Sequence, residues 1–123
     1  MLGRWPATAL CAAAILSVSR IPRTDLPSRM LFPHADKAVH VGEYLLLGGL
    51  LVRSLSHELS GNFLLAAIIT IIAGTVFGAL DEWHQSFTGR VPDAWDVAAD
   101  LVGLIAGTTC VAAIRWWRKT RGQ

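Results

Sequence analysis

The sequence predicts an all-α fold, a bundle of four transmembrane helices, on three observations. First, 53% of its 123 residues are hydrophobic and its mean hydropathy is +0.46, an apolar excess that suits lipid better than water. Second, residues 63 to 80 carry no charge and residues 97 to 114 carry only Asp100. Third, the remaining ionisable residues gather at the ends of apolar runs rather than along them. The length leaves room for one domain over residues 1 to 123, without internal repeats or low-complexity tracts.

A bilayer core is about 30 Å thick and a helix rises about 1.5 Å per residue, so a span needs about 20 mostly apolar residues. The third and fourth helices, expected over residues 62 to 86 and 93 to 115, meet this requirement. A second helix over 36 to 53 is apolar except for His40 and Glu43 near its start. The first, over 5 to 19, is shorter and follows Arg4. That pattern also fits a signal peptide with Ser17, Val18 and Ser19 as its small-residue site, but we read a retained helix because the helix count and tryptophan placement then agree.

Between these runs, residues 20 to 35 hold three of the five prolines and cannot form one continuous helix. Residues 53 to 62 read as a polar turn ending in Gly61-Asn62, residues 86 to 92 as a turn around Thr88-Gly89, and residues 115 to 123 as a short tail. Cys11 and Cys110 lie in apolar runs and are expected as small packing residues, not as a disulfide or metal framework. The net charge of +2, with no basic stripe or nucleic-acid motif, excludes nucleic acid as a partner and leaves membrane lipids.

Four spans put the start of helix 2, the end of helix 3 and the start of helix 4 on one side. Trp83 and Trp95 would belt that side, and Trp5, Trp116 and Trp117 the other. The basic residues Arg4, Arg53, Arg115, Arg118, Lys119 and Arg121 oppose Arg20, Arg23, Arg29, Lys37 and Arg90. Because four of them crowd 115 to 121 beside a span end, both termini are expected in the cytoplasm and the polar cluster outside.

Helical spacing aligns Asp36, His40, Glu43, Tyr44 and Leu47, with Lys37 alongside. It also aligns Gly74, Gly78, Asp81 and Gln85, with Glu82 one step around, and Asp96, Asp100, Gly103 and Gly107. The glycines at four-residue spacing allow close helix approach, which would draw the charged ends together. An ionisable group at membrane depth costs roughly 2.5 to 3.5 kcal/mol on insertion scales, so these groups must be paired or line a wet cavity.

In a functional reading, Lys37 and Arg90 hold a phosphate or carboxylate, and Glu82, Asp81 and His40 supply acid or base. Gln85, Tyr44, Glu43, Asp96 and Asp100 complete the substrate pocket. In a structural reading, Lys37 and Arg90 neutralise the acids, and Gln85 and Tyr44 satisfy the leftover hydrogen bonds. Asp93 is expected to cap helix 4 and Asp96 to favour its dipole as well as line the pocket. His34 and His57 read as loop residues. Neither a cofactor nor a metal is expected. His40 and Glu43 share a face, but Glu82 and His84 point apart and no His-Glu-xx-His occurs.

Taken together, Asp36-Lys37-xx-His40-xx-Glu43-Tyr44, Asp81-Glu82-Trp83-His84-Gln85-Ser86-Phe87, Gly89-Arg90 and Asp96-xxx-Asp100-xx-Gly103-xxx-Gly107 closely resemble the VanZ-like family. That family takes its name from a protein associated with teicoplanin resistance in glycopeptide-resistance gene clusters. The chain departs from many members at Asp100, where they carry Asn, and at Thr88-Gly89-Arg90, where they carry Pro-Gly-Arg. The resemblance implies a helical membrane fold and a place in bacterial cell-envelope biology, in the inner membrane.

The expected function is binding, and possible modification or relocation, of an anionic lipid or lipid-linked envelope precursor. The alternatives are a non-catalytic membrane scaffold or accessory subunit, and a small proton-coupled transporter. Whether the protein is an enzyme, and its oligomeric state, stay open at the level of sequence.

Overall fold

A computed structural model describes residues 3–21 and 34–122. Four helices run in order, α1 (Trp5–Ser19), α2 (Ala35–Glu58), α3 (Phe63–Gln85) and α4 (Ala94–Thr120), with a 3-10 turn over Ser86–Thr88 between the last two. The expected all-α bundle is present. At 24, 23 and 27 residues, α2, α3 and α4 are about 35 to 40 Å long and apolar enough to cross a membrane. The apolar α1 has 15 residues and reaches about 22 Å, less than a full bilayer core. The proline-rich linker lies, for residues 22–33, outside the described residues, as do Arg23 and Arg29 from the charge comparison.

Local chemistry sets the helix starts. Pro6 occupies the first turn of α1, where its missing N–H costs nothing. Asn62 caps α3 by accepting from the Leu65 amide at 3.1 Å, and Asp93 caps α4 by accepting from the Trp95 amide at 2.9 Å. Gly61 and Gly89 supply left-handed turns, with φ of 85° and 77°.

Two ends differ from expectation. The polar stretch after residue 53 continues α2 through Glu58 instead of forming a turn, because its hydroxyls find partners on the helix. Ser54 donates to the Leu50 carbonyl at 3.1 Å and shares a 3.0 Å hydrogen bond with Thr8 of α1. The basic tail likewise extends α4 to Thr120. Cations there meet the negative end of the helix dipole, and Arg121 stacks over Trp117 at 4.4 Å.

Exposed and buried faces are those of a protein in lipid. On α3, Leu64, Ile68, Ile72, Val76 and Leu80 point outward at four-residue spacing, while Ala66, Thr70, Gly74 and Gly78 face the interior. The apolar core is small: Ile15, Tyr44, Leu47 and Leu104. Both cysteines are free, with Cys110 exposed. All five tryptophans are exposed, and Trp5 donates to Glu58 at 3.1 Å, tying the start of α1 to the end of α2.

The closest helix pair is α2 with α4, and glycine makes it so. A Cβ on Gly103 would stand 2.9 Å from the Leu45 amide nitrogen, one on Gly48 2.9 Å from the Leu104 carbonyl oxygen, and one on Gly107 would overlap the Leu45 carbonyl. Gly74 and Gly78 serve differently from the close backbone approach expected of them. Gly74 makes room for the Leu104 side chain and Gly78 for the Asp100 carboxylate.

Gly107→Ala should therefore lower stability by about 1 to 3 kcal/mol through overpacking. Gly42→Ala, whose Cβ meets nothing within 4 Å, should leave stability unchanged or raise it by up to about 1 kcal/mol. Thermal unfolding of the two variants in one detergent checks the contrast.

Candidate functional site

The alternating helix directions bring the starts of α2 and α4 and the ends of α1 and α3 together at one end of the bundle. The seam of Gly48, Gly103 and Gly107 lets α2 and α4 approach so closely that their acidic and basic side chains interdigitate. Seven carboxylates collect there, from Asp36, Glu43, Asp81, Glu82, Asp93, Asp96 and Asp100, with Lys37, Arg90 and His40. Asp96 is 0% exposed, Asp100 1% and Glu82 4%. Carboxylates so buried must be compensated by specific partners.

Lys37 compensates Asp96 together with two half-buried neighbours. Its ammonium pairs with Asp96, with Asp93 at 2.7 Å and with Asp36 at 3.3 Å. It thus neutralises acids, as the structural reading expected, and its charge is shared before any ligand arrives.

His40 lies one turn deeper, with Nδ1 2.7 Å from Asp100 and Nε2 3.8 Å from Asp96. Glu43 is half-buried within electrostatic reach of His40, Asp100 and Asp81.

The α3 acids face the same space. Asp81 accepts from Ser19 of α1 at 2.8 Å and from Gln85 at 3.0 Å. Glu82 Oε2 accepts from the Asp93 backbone amide at 3.1 Å, fastening the end of α3 to the cap of α4. Glu82 Oε1 is buried without a hydrogen-bond partner among the described residues, and so is the Tyr44 hydroxyl. Gln85 plays the part expected of it. Tyr44 does not, because its hydroxyl sits beside the Cα of Gly78 and the buried Asp100 and finds no partner there.

Arg90 donates from Nη1 to the Ser19 carbonyl, its Nε is buried without a partner, and it makes no ion pair among the described residues. Its role here is to close α1 against the turn after α3.

Two participants escaped the sequence. In the sequence Ser19 stands out only as part of a small-residue site, yet its side chain and carbonyl join α1 to Asp81 and Arg90. Asp93 caps α4 as expected but also binds Lys37. A set of side chains able to ligate a metal is also brought together that no short motif encodes. One ligand atom each from His40, Glu82 and Asp96 lie within 4.8 Å of one another, contributed by three different helices.

Beside the cluster, a groove of about 650 Å³ opens between the starts of α2 and α4. Asp36, Lys37 and Asp93 line its polar end, and Trp95, Ala98, Ala99 and Val102 its apolar wall.

Because Glu82 acts on the Asp93 amide as an acceptor, Glu82→Gln should stay within about 0.5 kcal/mol of the parent protein. Glu82→Leu, which strands that amide, should cost about 1 to 3 kcal/mol. Thermal unfolding with a helix-content signal distinguishes the two.

Comparison of the chain with protein families, curated proteins and solved structures gives no match.

Proposed function

We propose that this membrane protein binds a phosphate-bearing lipid, or a lipid-linked envelope precursor, in the groove between α2 and α4. The observation that carries the reading is the groove's polarity. A charged end at Asp36, Lys37 and Asp93 gives way to the apolar wall of Trp95, Ala98 and Val102, the same order of chemistry as a head group followed by an acyl chain.

The charge balance refines the expected anionic ligand. Lys37 can meet a phosphate oxygen, but Asp36 and Asp93 stand against it. A head group with an amine beside its phosphate satisfies both signs, whereas a purely anionic one leaves the acids opposed. The VanZ-like resemblance supports the same setting, the bacterial envelope. We place the cluster on the outer face of the inner membrane because Arg115, Arg118, Lys119 and Arg121 occupy the opposite end of the bundle.

A second reading has an observation of its own. Two ion pairs of Lys37, to Asp93 at the cap of α4 and to Asp96 within it, hold α2 to α4 without any ligand, which suits a scaffold whose polar end is purely architectural.

Mass spectrometry of lipids retained by the protein, after expression in a membrane containing phosphatidylethanolamine, phosphatidylglycerol and cardiolipin, tests the proposal. Phosphatidylethanolamine should be enriched over the bulk membrane. Ala98→Trp, which fills the apolar wall from an exposed position, should remove most of that enrichment without lowering stability. Retained lipid of bulk composition, equal in both proteins, would favour the scaffold.

A further inference from the structure

We propose that His40, Glu82 and Asp96 form a binding site for one divalent first-row transition-metal ion, gathered from α2, α3 and α4. The inference stands apart from the lipid reading, since it concerns the interior of the cluster and its test uses metal alone.

The first support is the ligand set. An imidazole and two carboxylates suit Zn²⁺ or Mn²⁺, and each residue offers an atom within 4.8 Å of the other two. Two donors about 2.1 Å from a common ion lie roughly 3 to 4 Å apart, depending on their angle. His40 Nε2 and Asp96 Oδ2 are 3.8 Å apart, too far for a hydrogen bond and suited to sharing an ion.

The second is the orientation of His40. Asp100, 1% exposed, stands 2.7 Å from Nδ1. An ionised carboxylate only accepts hydrogen bonds, so facing Asp100 favours the proton on Nδ1 and leaves Nε2, on the Asp96 side, as the nitrogen that an ion would take. A carboxylate behind a ligating histidine fixes its tautomer and raises its basicity, which is the usual outer shell of a metal site. Asp100 is thus a positioning residue.

The third is independent of clustering. Glu82 is 96% buried, being 4% exposed, and its Oε1 lacks a hydrogen-bond partner among the described residues while Oε2 is held by the Asp93 amide. A buried carboxylate oxygen left unmatched costs free energy that an ion would recover. The surrounding acids exceed Lys37 and Arg90 in number, so a dication lowers the electrostatic cost of the whole cluster.

The test is metal content of the full chain in detergent. The protein is stripped with chelator, dialysed against Zn²⁺ or Mn²⁺, and assayed by elemental mass spectrometry, with thermal unfolding recorded with and without metal. About one equivalent per chain and a rise in melting temperature are expected. Glu82→Gln keeps the acceptor for Asp93 and so keeps the fold, but should weaken binding at least tenfold and abolish the thermal shift. Asp100→Leu should weaken binding about 10- to 100-fold, and His84→Ala should change nothing. Less than about a tenth of an equivalent in the parent protein, or equal binding by folded Glu82→Gln, would overturn the proposal.

Discussion

Two aspartates, Asp96 and Asp100, are buried on α4 at the edge of the apolar layer, and almost everything else follows from the need to compensate them. Their compensation comes from α2, through Lys37 and His40, one helical turn apart. That approach requires backbones close enough for side chains to interlock, which is why Gly48, Gly103 and Gly107 line the seam below. Packing and electrostatics are therefore one device. Small residues in the membrane bring the helices together, and the charges at the end fix which faces meet.

The α3 helix adds a different contribution. Its apolar outer stripe faces lipid, while Gly74 and Gly78 leave room for Leu104 and Asp100 of α4. Above them, Asp81 and Glu82 fasten the end of α1 and the start of α4 through Ser19 and the Asp93 amide. The resulting acid excess distinguishes this cluster from a neutral clamp. This excess is what the two proposals rest on, a head group with an amine beside its phosphate in the groove and a cation in the interior. An ion held by His40, Glu82 and Asp96 would also lessen the repulsion that Asp36 and Asp93 present to a phosphate at Lys37.

Much of this was legible in the sequence, for reasons that can be given residue by residue. The long apolar runs of α3 and α4, the Asp93 cap and the shared side of three polar helix ends follow from span length, capping chemistry and alternation of direction. The stripe from His40 to Leu47 follows from helical period. Pairing across helices does not, because spacing reports which face a residue occupies but not which residue stands opposite. Lys37 looked available for a ligand, and only three dimensions show it among Asp36, Asp93 and Asp96. The three-helix ligand set was invisible for the same reason. The full lengths of α2 and α4 are not legible, because polar residues from 54 to 58 and 115 to 120 read as turn and tail, although helical hydrogen bonds, Thr8, Phe63 and Trp117 accommodate them.

The central claim is that Lys37 and Asp96 are energetically coupled across the α2–α4 seam. A double-mutant cycle with Lys37→Met, Asp96→Asn and the combined variant, read by thermal or denaturant unfolding in detergent, measures that coupling directly. The account predicts that the two losses are far from additive, with an interaction of at least about 1 kcal/mol, because Lys37→Met takes the ammonium from the buried Asp96 carboxylate, a cost that the combined variant, uncharged at position 96, does not carry. Additivity within about 0.3 kcal/mol would contradict it.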